Sequence, residues 1–248
     1  MSGDHDHRAR QTAPLGPFLE QADAVDRPRL VRHLDVEQVE QGRIEVAALD
    51  DFIAAGPCLE NARIDNHGGT TKEVWTNPET FQPDIAAIEA AITQKTRAVI
   101  INSPNNPTGR IYDQDSLENL GLLLSEKSEQ HGRTIYLVSD EPYRKIVFDG
   151  ADVPAIFPVY PASLVVASYS KDLSIAGERI GFVAVNPACP GKDALLSGMA
   201  LANRILGFVN APAIWQRVIP LVSDAKVDIK PYRENRDLLF DHLLKCGF

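Results

Sequence analysis

The residues best suited to chemistry lie together at Ser168-Tyr169-Ser170-Lys171, with Arg179 eight positions beyond the lysine. The apolar run Leu164-Val-Val-Ala167 ends abruptly in these hydroxyls and an amine, and a second apolar run, Ile180 to Val185, follows the arginine. A lysine held at the end of a buried strand can act as a nucleophile toward a carbonyl. Two serines and an arginine beside it are groups that hold a phosphate through charge-assisted hydrogen bonds. The same residues also suit an ordinary solvated turn, with Arg179 in a surface ion pair with Glu178 or Asp172.

Two further polar clusters follow apolar runs in the same way. Asn105-Asn106-Pro107-Thr108-Gly109 comes after Arg97-Ala-Val-Ile-Ile101, and Asp140-Glu141-Pro142-Tyr143 comes after Thr134 to Val138. Each has a plain reading. Asn-Pro-Thr-Gly makes a good turn, because proline presets φ and glycine permits a left-handed residue. Asp140 suits a local cap, and Tyr143 suits a half-buried ring with its hydroxyl in water. In open α/β sheets, however, ligands bind outside the carboxyl ends of the strands, where adjacent loops converge. Three polar clusters at three strand ends fit that arrangement.

The elements that must position these residues can be traced on both sides of them. Strands are expected at Thr70–Trp75, Arg97–Ile101, Thr134–Val138, Leu164–Ser168 and Ile180–Val185. Between them, Asp84 to Ile92 reads as a helix with Asp84 as N-cap, and Asp113 to Gln130 reads as an amphipathic helix. Its face is Leu117, Leu120 and Leu124, and Gly132 is its stop. Leu195–Leu206, Pro212–Val222 and Tyr232–Cys246 extend a helical C-terminal part, in which Asn203 to Pro212 reads as packing. The alternation predicts an α/β fold, a mostly parallel sheet with helices on both faces. Val36 to Ile53 reads as one weakly amphipathic helix within an otherwise irregular N-terminal stretch.

Composition narrows the functional classes. Among 248 residues, 44% are hydrophobic and 24% charged, enough apolar material for a sizeable core. A formal net charge of -9 argues against nucleic acid and against a polybasic membrane patch. The three cysteines, Cys58, Cys189 and Cys246, have neither metal-like spacing nor an even count, which fits a reducing compartment. The N-terminus is polar, and no run approaches the ~18 apolar residues of a membrane span. A cytoplasmic protein is expected. His5 and His7 have no further ligand at a useful spacing, so no metal site is expected.

Taken in order, Asn106-Pro-Thr-Gly109, Asp140-x-x-Tyr143, Ser168-x-Ser170-Lys171 and Arg179 in Gly177-Glu-Arg-Ile-Gly181 resemble the signature of the class I/II aminotransferases. These are pyridoxal-phosphate enzymes of fold type I. The resemblance runs from about residue 65 to the end. It implies the large domain of that fold and pyridoxal 5'-phosphate as cofactor. Lys171 would form the Schiff base with the cofactor and then act as the base that moves the substrate proton. Asp140 would face the pyridine nitrogen, and Asn106 and Tyr143 would bond the ring's phenolic oxygen. Ser168, Ser170 and Arg179 would hold the phosphate. The reaction implied is transfer of an amino group between an amino acid and a 2-oxo acid, in a homodimer.

The resemblance also sets boundaries. Residues 1–64 match none of the family's glycine-bearing phosphate turn, stacking aromatic or interface elements, and are expected to be divergent. An out-of-frame reading of a family gene would give such a passage. Residues 65–225 would be the cofactor-binding large domain, in part. Residues 226–248 would be a connecting helix toward a small domain that the sequence does not include, and with it the arginine for the substrate carboxylate. Two other functions stay open: a truncated, non-catalytic remnant that binds the cofactor weakly, and other chemistry of the same cofactor, β-elimination or decarboxylation.

Overall fold

In the computed structural model, residues 51–55, 68–207 and 209–247 are described. Strands β1 (Asp51–Ala55), β2 (Thr70–Val74), β3 (Thr96–Asn102), β4 (Tyr136–Asp140), β5 (Ser163–Ser168) and β6 (Gly181–Val185) form one sheet in the order β2-β1-β3-β4-β5-β6. Every neighbouring pair is parallel except β5 and β6, which run antiparallel at the edge. The fold is α/β with a mostly parallel sheet, as expected. The helix expected over Val36–Ile53 is corrected at its C-terminal end, where Asp51–Ala55 is a strand between β2 and β3. A short apolar run bounded by Gly56-Pro57 has no period that separates strand from helix. The remainder of that reading, with His5, His7 and Cys58, lies outside the described residues.

Helices α1 (Ile85–Ala91) and α2 (Gln114–His131) pack on one face of the sheet. Asp84 caps α1 by accepting the Ala87 N–H at 2.9 Å, and Asp113 caps α2 by accepting the Ser116 N–H at 2.8 Å. Gly132 ends α2 in the left-handed region with φ 62°. Ile88, Leu117, Leu120 and Leu124 interdigitate with Val99, Ile101 and Leu137 of β3 and β4. All are essentially fully buried, and each such side chain contributes about 1.5–3 kcal/mol. Gly121 lets α2 pass close to the loop before β5, since a Cβ there would stand 2.7 Å from the Val159 carbonyl oxygen. Ala98 and Ile100 are buried on the opposite face of β3. The central strand is therefore covered on both sides, which explains its near-continuous apolar sequence.

The C-terminal part is helical: α3 (Tyr169–Asp172) turns the chain after β5, and α4 (Lys192–Ile205), α5 (Ala213–Val218) and α6 (Lys230–Lys245) follow β6. None of α4, α5 and α6 has a buried residue. Within the stretch Asn203 to Pro212, read as packing, Ile205 and Leu206 are exposed in this single chain. Leu238, Leu239 and Phe240 of α6 are exposed as well. Among the described residues, no helix is long and apolar enough to cross a membrane.

Candidate active site

The three polar clusters emerge from one edge of the sheet because β3, β4 and β5 are adjacent and parallel. Register aligns them further: Asn102 stands opposite Asp140, and Asp140 stands opposite Val166. The turn at Ser168 to Lys171 begins two residues beyond Val166, so it opens above Asp140.

The loop after β3 is closed on itself. Asn105 N–H donates to the Arg110 carbonyl and Gly109 N–H to the Asn105 carbonyl, each at 2.8 Å. The Asn105 side-chain oxygen accepts the Thr108 hydroxyl at 2.8 Å. Below it, the Ser103 hydroxyl accepts the Tyr112 N–H at 3.0 Å. Tyr112 is wholly buried, and burial pushes its hydroxyl up to about 12 against a smaller lowering from the Asn105 side chain. The loop thus presents Asn106 outward from a fixed base.

Asn106 and Tyr143 meet directly, with the Asn106 amide donating to the tyrosine oxygen at 3.2 Å. Lys171 Nζ lies over the Tyr143 ring, 5.7 Å from its centroid. Asp140 joins them through Asn102. The Asn102 amide donates to Asp140 Oδ2 at 3.1 Å, while its oxygen accepts the Asn106 N–H at 2.8 Å. Asn106, Asp140, Tyr143 and Lys171 therefore form one constellation. Asn102 lies between the apolar run and the Asn105–Gly109 turn, and its type alone gives no sign that it bridges two loops.

The loop carrying Tyr143 has its own buried support. Glu141 is 5% exposed and accepts the Ser139 hydroxyl and the Arg144 guanidinium, each at 2.9 Å. Arg144 also donates to the carbonyls of Pro154 and Val153. Neither residue was singled out from sequence, where a Glu and an Arg in a polar loop read as solvated. Along the outside, Pro104, Asn106, Gly109, Tyr143, Phe148 and Arg236 line a cleft of about 410 Å³. Arg236 of α6 closes it by lying over the Phe148 ring and pairing with Asp149 at 2.6 Å. That hydrogen bond holds the Asp149 carboxyl below its ordinary range.

At the other end, the Ser168 hydroxyl caps α3 by accepting the Ser170 N–H at 3.1 Å. Ser168 pairs with Gly181 across β5 and β6, and a Cβ at Gly181 would lie 2.5 Å from the Ala167 carbonyl oxygen. Only glycine lets the strands approach so closely beside the lysine turn. Arg179 is exposed, adopts φ 53°, and donates Nη1 to the Ala176 carbonyl at 2.9 Å. Its suggested ion-pair partners are engaged elsewhere: Glu178 accepts the Trp215 indole N–H, and Asp172 pairs with Lys145. The donor set comprises a carboxylate, an amide, a phenol, an amine, two hydroxyls and a guanidinium. It suits an aromatic aldehyde carrying a ring nitrogen and a phosphate.

Residues 62–246 match the family model for aminotransferase class I and II. The chain belongs to this family. Among similar aminotransferases is the aspartate/prephenate aminotransferase of Thermus thermophilus, 33% identical over 187 residues, which are 73% of this chain and 46% of the relative. An aminotransferase from Eubacterium rectale, known from its crystal structure, aligns with a TM-score of 0.78 at 43% identity, over 81% of this chain and 51% of the other. The aspartate aminotransferase of Thermotoga maritima aligns with a TM-score of 0.68 at 25% identity, over 80% of this chain and 51% of the other. The chain thus spans about half the length of the relatives it matches.

Proposed function

We propose that this chain carries the pyridoxal-phosphate wall of an enzyme that transfers amino groups between amino acids and 2-oxo acids, with Lys171 as the cofactor-bearing residue. The observation behind this reading is the meeting of Lys171, Tyr143 and Asn106 beside Asp140 at the carboxyl ends of three parallel strands. The cofactor supplies an aldehyde that takes up amino groups and a ring that stores the electron pair released at Cα.

The chain's residues divide the remaining work. Asp140 holds a ring N–H with its carboxylate, and the Asn102 bond fixes that carboxylate in place. Asn106 and Tyr143 donate to the phenolic oxygen. Ser168, Ser170 and Arg179 hold the phosphate, where the planar guanidinium offers two parallel donors. For that role Arg179 turns Nη1 from Ala176 or contributes its remaining N–H groups. The Lys171 amine accepts and returns the proton at the substrate's α carbon. In domain terms, residues 65–225 are read as part of the cofactor-binding large domain and 226–248 as the connecting segment, in which Lys230–Lys245 is helical. Assembly as a homodimer belongs to the same proposal.

A second reading is a protein that holds the cofactor without turnover. It is favoured by the openness of the site, where Lys171 and Arg179 are exposed and Phe182 and Val183 of β6 each remain 44% exposed. A site open to water loses the strengthened electrostatics that a closed one provides. One experiment separates the readings. The chain is loaded with pyridoxal phosphate, a panel of amino acids is added, and released 2-oxo acid is assayed. Spectral conversion with release of the oxo acid supports transamination; a bound cofactor that no amino acid changes supports the second reading.

A further inference from the structure

Two contacts tie the Lys171 turn to the loop after β4. Lys171 lies over the Tyr143 ring at 5.7 Å, and Lys145 Nζ lies 3.3 Å from Asp172 Oδ2. The two contacts alternate along the chain, since Tyr143 and Lys145 share one loop while Lys171 and Asp172 are neighbours in α3. They form successive rungs between the same two segments.

The burial of the second rung separates it from an ordinary surface pair. The Asp172 side chain retains 9% of its exposure, and its Oδ1 is buried with no hydrogen-bond partner. A carboxylate withdrawn from water to that degree depends on a cation beside it. Lys145 fills that need while 44% of its side chain stays in water. The lysine's own loop is rigid, because the adjacent Arg144 is anchored on Glu141, Val153 and Pro154. Helix α3, by contrast, has only four residues and a single serine cap. Lys145 therefore ties the end of α3 to that loop, while Tyr169 at its start bonds the Ile180 carbonyl and lies against the Phe182 ring.

From this geometry we infer that the Lys145–Asp172 ion pair is a positioning device for the Lys171 amine, holding it against Tyr143. The inference rests on the reading of Lys171 as the cofactor-bearing residue. A lysine side chain is costly to order, so a fixed Cα and a fixed neighbouring residue narrow the volume its amine explores. Displacements near 1 Å at a reacting group carry large rate penalties.

The test uses the full chain as Lys145→Met and Lys145→Arg variants, with circular dichroism and thermal melts to show that both fold. Without cofactor, the proton NMR shift of the Lys171 ε-methylene reports its place over the Tyr143 ring, assigned by loss of the signal in Lys171→Ala. The ring-current displacement should be present in the parent, lost in Lys145→Met and kept in Lys145→Arg. With pyridoxal phosphate, the rate of adduct formation at Lys171 should fall about tenfold in Lys145→Met and recover in Lys145→Arg. A displacement that survives in Lys145→Met, or one that Lys145→Arg loses as fully, overturns the inference. If the methylene responds as expected but the parent takes up no cofactor, the positioning role stands and the proposed function is what fails.

Discussion

The side-chain amide of Asn102 donates to both the backbone carbonyl of Asp140, at 3.0 Å, and its carboxylate Oδ2, at 3.1 Å. One asparagine thereby locks the ends of β3 and β4 and orients the carboxylate between them. With its oxygen accepting the Asn106 N–H, it sets at once the two groups, Asp140 and Asn106, that are proposed to meet the cofactor ring.

Asn102→Ala should therefore damage binding and stability together. Losing bonds to a partly buried carboxylate costs about 1–3 kcal/mol. We expect that loss in urea unfolding and about a tenfold weaker affinity for pyridoxal phosphate by spectroscopic titration. Unchanged affinity would show that Asp140 is oriented without Asn102.

Gly181→Ala places a methyl group 2.5 Å from the Ala167 carbonyl oxygen, which β6 can relieve only by moving away from β5. Overpacking of this kind costs roughly 1–3 kcal/mol. Because Ser168 is Gly181's strand partner, the variant should also bind free phosphate less well, measurable by calorimetry. A variant as stable as the parent would mean that the edge strand adapts freely.

Arg144→Ala strands the buried Glu141 carboxylate, which keeps only the Ser139 hydroxyl among the two donors described. The arginine is 39% exposed, so water recovers part of the loss, and about 2–3 kcal/mol is expected in denaturant unfolding. Arg144→Ala with Glu141→Gln should recover part of that loss. Absence of recovery would place the arginine's worth in its bonds to the Val153 and Pro154 carbonyls.

Much of this arrangement was legible in the sequence, for identifiable reasons. Asp84, Asp113 and Gly132 sit at helix ends because capping chemistry is local and acts through a few neighbouring residues. Asn106, Asp140, Tyr143 and Lys171 could be grouped because each follows an apolar run whose end is visible. What escaped depends on partners distant in the chain. Asn102 acts across 38 positions on Asp140, and Lys145 meets Asp172 across β5. Strand direction was illegible too, since an apolar run such as Gly181–Val185 reads the same in a parallel or an antiparallel pair. Leu238 and Leu239 of α6 stand among many charges, a pattern that marks a partly exposed helix, and both are exposed.

Stability should also fall at high pH through Tyr112. Its hydroxyl is held up to about 12 in the fold, against about 10 when unfolded. Between those values the unfolded chain has lost a proton that the folded chain keeps, so stability declines as pH rises from about 10 to 12. The difference between parent and Tyr112→Phe in absorbance at the phenolate band should show a tyrosine that ionises late. A difference titrating near 10 would mean the ring is not sealed.

The most direct test of the central claim is where the cofactor attaches. The full chain is incubated with pyridoxal phosphate, reduced with borohydride, digested and mapped by mass spectrometry. Our account predicts a pyridoxyl group on Lys171, and loss of the near-visible band in Lys171→Ala with the fold intact by circular dichroism. A pyridoxyl group on another lysine, such as Lys145, or none at all, would contradict it.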